Sequence, residues 1–500
     1  MSAKQTVCII GSGIAGLACA IRLAVHGFAV TIFEKNSHPG GKINVLEKDA
    51  YRFDTGPSLF VQPQNVEELF KLAGEDIHQY IQYKKLDINC KYFYEDGTVI
   101  NAYSNKEKFA KEVEEKTGEP AQHILSYLKE SKNIYTNIGN VFLNHSLHKR
   151  KTITEHGILK ALATTKPAYI FSTLHAANKK KFHDPHVIQL FDRYATYNGS
   201  NPYKAPGMLK LIPHLEMNED VFYPQGGMIS INKALYNLAL KKGVTFNFNT
   251  TVQRIIETDN EAKGIVINNE NHFADVVISN TDVFFTYLKL LNDKQQAKKI
   301  LKQERSSSAI VFYWGIKKEF RQLYLHNIFF SKDYEAEFNS IFKLKNPYSD
   351  PTIYINITAK MEPGVHAPAG KENWFVMVNV ASDEGMSDEA IISLYKKNII
   401  AKLNRLLQFD IEPLIETETV LHPKLIEEQT VSFGGALYGT SSNSRSAAFL
   451  RHPNFSGRIK RLYFTGGSVH PGGGIPLCLK SAAITSQLII QDSKKWKRYD

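Results

Sequence analysis

The stretch Val7-Cys8-Ile9-Ile10-Gly11-Ser12-Gly13-Ile14-Ala15-Gly16 reads as a short buried strand that runs into a glycine-rich turn. Leu17 to His26 carries helical spacing with Gly27 as its stop, and Ala29-Val30-Thr31-Ile32-Phe33 is a second strand closed by Glu34. The unit is strand–helix–strand, with GxGxxG at the first turn and an acid 18 residues beyond Gly16. Gly11 permits the tight turn, Gly13 lets the backbone approach a pyrophosphate, and Gly16 lets the helix pack closely on the strand. Free N–H groups at the helix start, around Ile14 and Ala15, suit phosphate. Glu34 can accept hydrogen bonds from a ribose. The pattern predicts dinucleotide binding on a Rossmann-type unit. The plainer alternative is a glycine-rich turn beside a surface Glu.

Outward from that unit, 500 residues with 43% hydrophobic and 22% charged residues give ordinary globular composition and room for several domains. Disorder as the main state, a collagen-like rod and a disulfide scaffold are excluded. Cys8, Cys19, Cys90 and Cys478 show no CxxC spacing and read as buried thiols in a reducing cytoplasm. No metal-ligand spacing, Ser-His-Asp order or Walker loop is visible. No run of 18 apolar residues exists, so no membrane-spanning helix is expected. Three spaced glycines and Arg22 argue against reading the N-terminal stretch as a signal peptide. The formal charge is +11, and from Lys149 to Lys181 eight Lys/Arg stand against Glu155 alone. Such a basic segment, interleaved with Ile158-Leu159-Ala161-Leu162 and Tyr169-Ile170-Phe171, fits an anionic membrane surface as well as it fits a solvated helical subdomain. Nucleic acid is not expected, because no nucleic-acid module accompanies the charge.

Two further segments carry the specific signal. Lys35-Asn36-Ser37-His38-Pro39-Gly40-Gly41-Lys42 follows Glu34, and Asp54-Thr55-Gly56-Pro57-Ser58 comes after it. Near the other end, Arg461-Leu462-Tyr463-Phe464-Thr465-Gly466-Gly467-Ser468-Val469-His470-Pro471-Gly472-Gly473-Gly474-Ile475-Pro476 reads as a strand, a glycine-rich loop and a helix start. Together these resemble the flavoprotein family of monoamine oxidases and carotenoid desaturases. The last segment is similar to the signature of the bacterial-type phytoene desaturases. The resemblance implies FAD as cofactor, contacted by Lys35, Gly41 and Lys42, with Gly56, Pro57 and Ser58 near the flavin. It also implies that the Val252 backbone touches the adenine side, and that Gly466, Gly467, Gly474 and Ile475 bring a helix start towards the flavin ring. A helix start there would stabilise charge developing on the ring. Lys42 stands where the family usually has Arg, which keeps the charge but loses bidentate geometry. Within the family, Ala195-Thr196-Tyr197-Asn198-Gly199-Ser200 and the run Arg305 to Gly315 resemble the flavobacterial 1-hydroxycarotenoid 3,4-desaturases.

The expected fold class is α/β. A discontinuous Rossmann-type FAD-binding domain of the amine oxidase and phytoene desaturase type spans residues 1–75, 222–290 and 455–493. A mixed-sheet substrate domain takes 76–140 and 291–454, and a helical basic subdomain, with possible membrane contact, takes 141–221. The implied function is that of an FAD-dependent oxidoreductase acting on CH–CH bonds of an acyclic carotenoid, by hydride transfer to flavin. Phytoene desaturase and carotenoid isomerase are near alternatives. A soluble flavin amine oxidase or a GDI-like lipid escort lies outside that class. A hydrocarbon offers almost no polar handle, so selectivity should come from tunnel length and from any hydroxyl at the chain end. His470 is the first candidate for a catalytic polar group, with a loop-capping histidine as the bland alternative. Arg193 and Asp192 are weaker candidates, read mainly as a structural pair, and Arg305 is read as closing a sheet edge. The electron acceptor stays open between oxygen and a quinone. The expected location is cytoplasmic, peripheral on the inner membrane face.

Overall fold

A computed structural model describes residues 4–149, 167–444, 447 and 450–496. Its first sheet is parallel throughout, in the order Leu462–Phe464, Val276–Ser279, Thr6–Ile10, Ala29–Phe33, Thr245–Asn247. The strand Thr6–Ile10 sits at its centre, paired Val7 to Val30 on one side and Val7 to Val276 on the other. Its apolar run is continuous because both faces are covered. Val7 and Ile9 join a core with the helices Ile14–Val25, Ile229–Lys241 and Ile475–Trp496. Cys8 and Ile10 join the opposite core, which holds Ile255, Ile265 and Ile267 of a three-stranded antiparallel sheet.

Three separated stretches of chain thus build this layer. Its edges differ from expectation by a few residues: the first helix begins at Ile14, directly on the glycine turn, and ends at Val25.

The second sheet has seven strands and is mixed, in the order Ile415–Leu421, Ser308–Ile316, Glu372–Val380, Ile353–Asn356, His326–Phe329, Ile88–Phe93, Val99–Tyr103. His326–Phe329 runs parallel to Ile88–Phe93, and the other pairings are antiparallel. Trp314, Trp374 and Val376 pack in one core with Tyr395, Ile399 and Leu403 of the helix Glu389–Leu407. The strand Ser308–Ile316 extends beyond the apolar stretch Ala309–Trp314, because Ser308 and Ile316 both find ladder partners, Val380 and Glu372.

A third core lies under the strands Ile88–Phe93 and Val99–Tyr103. It takes Phe109 and Val113 from helix Lys106–Thr117, Tyr127 and Leu128 from helix Ala121–Ile134, and Val187, Leu190 and Phe191 from helix Pro185–Asp192. Arg150, Lys151, Lys160, Lys166 and the apolar Ile158-Leu159-Ala161-Leu162 of the basic segment lie outside the described residues. Among the described residues no helix is long and apolar enough to cross a membrane. Cys8, Cys19 and Cys90 are buried, whereas Cys478 is only part-buried and faces the cavity described next.

Candidate functional site

One cavity of about 1310 Å³ runs from the glycine turns of the parallel sheet to the face of the mixed sheet. That exceeds the few hundred to ~1,000 Å³ of an ordinary small-molecule pocket, and suits a large cofactor together with a long substrate. At the parallel-sheet end, Gly11 has φ +96° and Gly13 caps the helix Ile14–Val25 with no side-chain hydrogen bond. The first-turn N–H groups of that helix have no intrahelical partner. Ile14 and Ala15 line the cavity there, so these donors face a site fit for phosphate. A Cβ at Gly16 would stand 2.4 Å from the Gly11 carbonyl oxygen, which is why glycine is required where helix meets turn. Gly16 itself serves packing and is not part of the cavity wall.

The second glycine turn closes on the first. Gly13 and Gly40 form a bridge, Gly40 N–H donates to the Ser12 carbonyl at 3.1 Å, and a Cβ at Gly41 would lie 3.2 Å from Gly13 Cα. Asn280, which follows the strand Val276–Ser279, donates from Nδ2 to the Gly11 carbonyl at 3.2 Å. It was not singled out from sequence, although its place after a buried strand of the same sheet is the available signal.

Glu34 is buried. Its Oε2 accepts from Ser12 N–H (2.8 Å) and Ser12 Oγ–H (2.7 Å), and its Oε1 accepts from Asn36 N–H (2.9 Å). A carboxylate offers about four acceptor sites, so Glu34 both locks the turn and keeps capacity for a ribose. Lys35 Nζ donates to the Glu428 carbonyl at 2.6 Å. Lys42 reaches across to the Leu437 carbonyl at 2.7 Å, and burial pushes its ammonium down to about 8. It therefore ties the glycine turn to the loop at 436–437 while lining the same cavity. Gly56, Pro57, Ser58 and Val252 line the same cavity, as do Gly466, Gly467, Gly474 and Ile475 at the start of the last helix. The donor set, the glycine cradle and the cavity's volume fit FAD.

His470 is placed differently. It does not line the cavity; its Nε2–H donates to the His145 carbonyl at 2.9 Å, and burial holds its ring down at about 4. It is a neutral histidine that ties its loop to His145. Arg305 bridges Thr440 and pairs with Asp282, which itself caps the short helix Val283–Phe285.

The substrate end of the cavity is one face of the mixed sheet. Val311 pairs with Met377 and Leu421, Tyr313 with Phe375 and Thr419, and Tyr354 with Met377 and Ile328. All of these line the cavity, because alternate residues of neighbouring strands point to one side. The wall is flat, apolar and aromatic, which suits a polyene.

Parts of it are polar. Arg193 is buried beside Glu216 at 3.2 Å, and both line the cavity. The Asp192–Arg193 pair proves to be two unrelated partnerships: Asp192 turns away to His175 and Asn178. The sequence singled out neither Glu216 nor His326, since they meet Arg193 only through the fold.

Residues 14–490 match the family of flavin containing amine oxidoreductases. A 1-hydroxycarotenoid 3,4-desaturase from Flavobacterium sp. is 50% identical over 96% of this chain and 98% of its own. A phytoene desaturase from Fusarium fujikuroi is 30% identical over 98% of this chain and 90% of its own, and a 4,4'-diapolycopene oxygenase from Methylomonas sp. is 30% identical over 98% and 99%. Among solved structures, an oxidoreductase from Methanosarcina mazei aligns with TM-score 0.64 at 16% identity, covering 97% of this chain and all of that one. Putrescine oxidase aligns with TM-score 0.61 at 12% identity, covering 98% and 99%. These last two speak for the fold alone. With the family's pattern running from the first helix to the last, the chain belongs to the flavin containing amine oxidoreductases.

Proposed function

We propose that this protein is an FAD-dependent carotenoid desaturase that introduces a C=C bond into an acyclic carotenoid, specifically a 1-hydroxycarotenoid 3,4-desaturase. The observation that carries the reading is 50% identity along 96% of the chain to the Flavobacterium enzyme of that name. The cavity supports it independently: a flat apolar wall joined without interruption to the cofactor cradle.

Bound FAD supplies a hydride acceptor for the hydrogen that leaves one carbon while a proton leaves its neighbour. The chain's own residues do the rest. Gly11, Gly13 and the first turn of helix Ile14–Val25 would hold the pyrophosphate, and Glu34 would hold the ribose. The start of helix Ile475–Trp496 presents N–H groups and a partial positive charge to the cavity. Val311, Tyr313, Phe375 and Met377 fix the plane of the polyene and keep water from it. A long hydrocarbon must be drawn from a bilayer, and the basic surplus between Lys149 and Lys181 supports peripheral attachment to an anionic membrane on its cytoplasmic side. Oxygen or a membrane quinone would then reoxidise the cofactor.

The test is to incubate purified protein, FAD and liposomes with a 1-hydroxylated acyclic carotenoid, and separately with phytoene. A red shift of the carotenoid spectrum only in the first mixture is the expected result. A shift only with phytoene reassigns the enzyme to phytoene desaturation. No shift in either, with FAD bound, overturns the desaturase reading.

A further inference from the structure

Burying an ion pair in a hydrocarbon-lined cavity is costly, and replacing such a pair by apolar residues is often neutral or stabilising. Arg193 and Glu216 are nonetheless buried in this wall, with side chains 9% and 2% exposed. The guanidinium lies among three tyrosine rings, 4.6 Å from the centroid of Tyr194, 5.2 Å from Tyr92 and 5.3 Å from Tyr197. Its Nη2 donates to Tyr92 OH at 2.7 Å and to Glu216, and Tyr197 OH also donates to Glu216. Nε is buried and has no partner among the described residues.

The surroundings are short of partners too. Asn89 donates from Nδ2 to the Glu216 carbonyl at 2.9 Å, but its Oδ1 accepts nothing. His326 Nδ1 receives a hydrogen bond from Asn356 Nδ2 at 3.2 Å, and that amide's orientation is fixed by its second bond to the Leu325 carbonyl at 3.1 Å. Burial, then the charge of Arg193, push His326 down to about 3, so the ring is neutral. With Nδ1 accepting, the one N–H is on Nε2, which is buried and unpartnered. Tyr354 OH lies 2.8 Å from His326 Nδ1 and 2.7 Å from Ser58 Oγ. Ser58 is the residue after the Gly56-Pro57 turn at the cofactor end, so the polar chain begins beside the flavin site.

Buried polar groups without partners are rare, and several meeting in one cavity wall point to a group that completes them. A second polar cluster on the wall does not share this property. Glu337 there already accepts from Ser331 Oγ at 2.7 Å, Thr352 Oγ at 2.6 Å and Thr352 N–H at 2.9 Å.

We propose that Arg193, Glu216 and Tyr197, extended by the Ser58–Tyr354–His326 chain, form a recognition subsite for a hydroxyl on the carotenoid end, and that this subsite sets the preference for hydroxylated over all-hydrocarbon chains. The proposal rests on the desaturase reading above. A hydroxyl is both donor and acceptor: Arg193 donates to its oxygen, and the Glu216 carboxylate accepts its proton side. In 3,4-desaturation the hydroxyl carbon is two carbons from C3, so its pocket must adjoin the flavin end of the cavity, where Ser58 begins the chain. An all-hydrocarbon end would leave Arg193 Nε, Asn89 Oδ1 and His326 Nε2 without partners. Sites of this kind reject the analogue lacking the hydroxyl far more strongly than an apolar pocket rejects an added methylene.

The test compares kcat/KM for a 1-hydroxylated acyclic carotenoid with that for the same carbon skeleton without the hydroxyl, both in phosphatidylglycerol liposomes. Wild-type enzyme is expected to prefer the hydroxylated chain by at least about 100-fold. Tyr197→Phe should reduce that preference by about 10-fold, since it loosens Glu216 while sparing both charges. The paired change Arg193→Met with Glu216→Gln, which strands no lone charge, should bring the ratio close to one. FAD absorbance and thermal midpoint report folding, and if the paired variant loses FAD, Tyr197→Phe decides. A wild-type ratio near one, or a ratio that Tyr197→Phe leaves unchanged, overturns the subsite while the desaturase reading stands. No turnover of either chain by wild-type enzyme overturns both.

Discussion

At Gly16 an added methyl would meet the Gly11 carbonyl oxygen at 2.4 Å and Asn280 Nδ2 at 2.7 Å. Neither the turn nor the strand can withdraw, so Gly16→Ala should destabilise by about 1–3 kcal/mol and lower FAD retention, as read by thermal melting and flavin absorbance. An alanine variant with wild-type melting and full flavin content would contradict this. The buried histidines set the acid limit. Burial pushes His326 to about 3 and both His452 and His470 to about 4. These folded values lie below the ordinary ~6.5, so the unfolded chain takes up protons that the folded one refuses. Stability is complete above that ordinary value and falls as pH drops towards 4. Thermal midpoints should decline steadily between about pH 7 and pH 5, and a flat profile would refute the assignment. The roles of Gly11, Gly13 and Gly16 were legible because backbone conformation and close approach leave glycine no substitute. The placement of His470 was not, because a histidine in a glycine loop looks the same whether it faces cavity or core.

The loop that follows the strand Val276–Ser279 depends on one ion pair. Asp282 caps the helix Val283–Phe285, donating nothing and accepting from Phe284 N–H at 3.0 Å, while its other oxygen pairs with Arg305. Both side chains are nearly inaccessible, at 4% and 10%. Arg305→Met would strand the carboxylate and should cost about 3 kcal/mol or more, with Asp282→Asn in the same chain recovering part of the loss. Equal melting of Arg305→Met and wild type would show the pair to be dispensable. At this scale sequence reading did well for strands with apolar runs and for helices with glycine stops. It fell short wherever a partner decides the length, as at Ser308 and Ile316. It named Arg193 but not Glu216, His326 or Tyr354 around it, which come from a short helix and two strands.

For the molecule as a whole, the cofactor cradle and the substrate wall share one cavity, so binding at one end should be felt in global stability. Saturating FAD at about 100 times its Kd should stabilise the fold by about 2.7 kcal/mol, read as a rise in melting temperature with added cofactor. A melting temperature indifferent to FAD would argue against the cradle. The division into a discontinuous nucleotide layer and a mixed-sheet layer could be read from motifs at both ends of the chain, since each motif announces its own strand. The order of strands could not, because it is settled by packing among distant segments. That order has a bearing on how the molecule is made. Leu462–Phe464 is the edge strand beside Val276–Ser279, and the helix Ile475–Trp496 packs on the helix Ile14–Val25 near the glycine turn. During synthesis the first glycine turn leaves the ribosome hundreds of residues before the pieces that complete its surroundings. The nascent chain must therefore hold an unfinished nucleotide layer, with apolar faces uncovered, until the strand Leu462–Phe464 and the helix Ile475–Trp496 have emerged. Cofactor capture then waits on those two elements, and chaperone demand should be greatest just before they arrive.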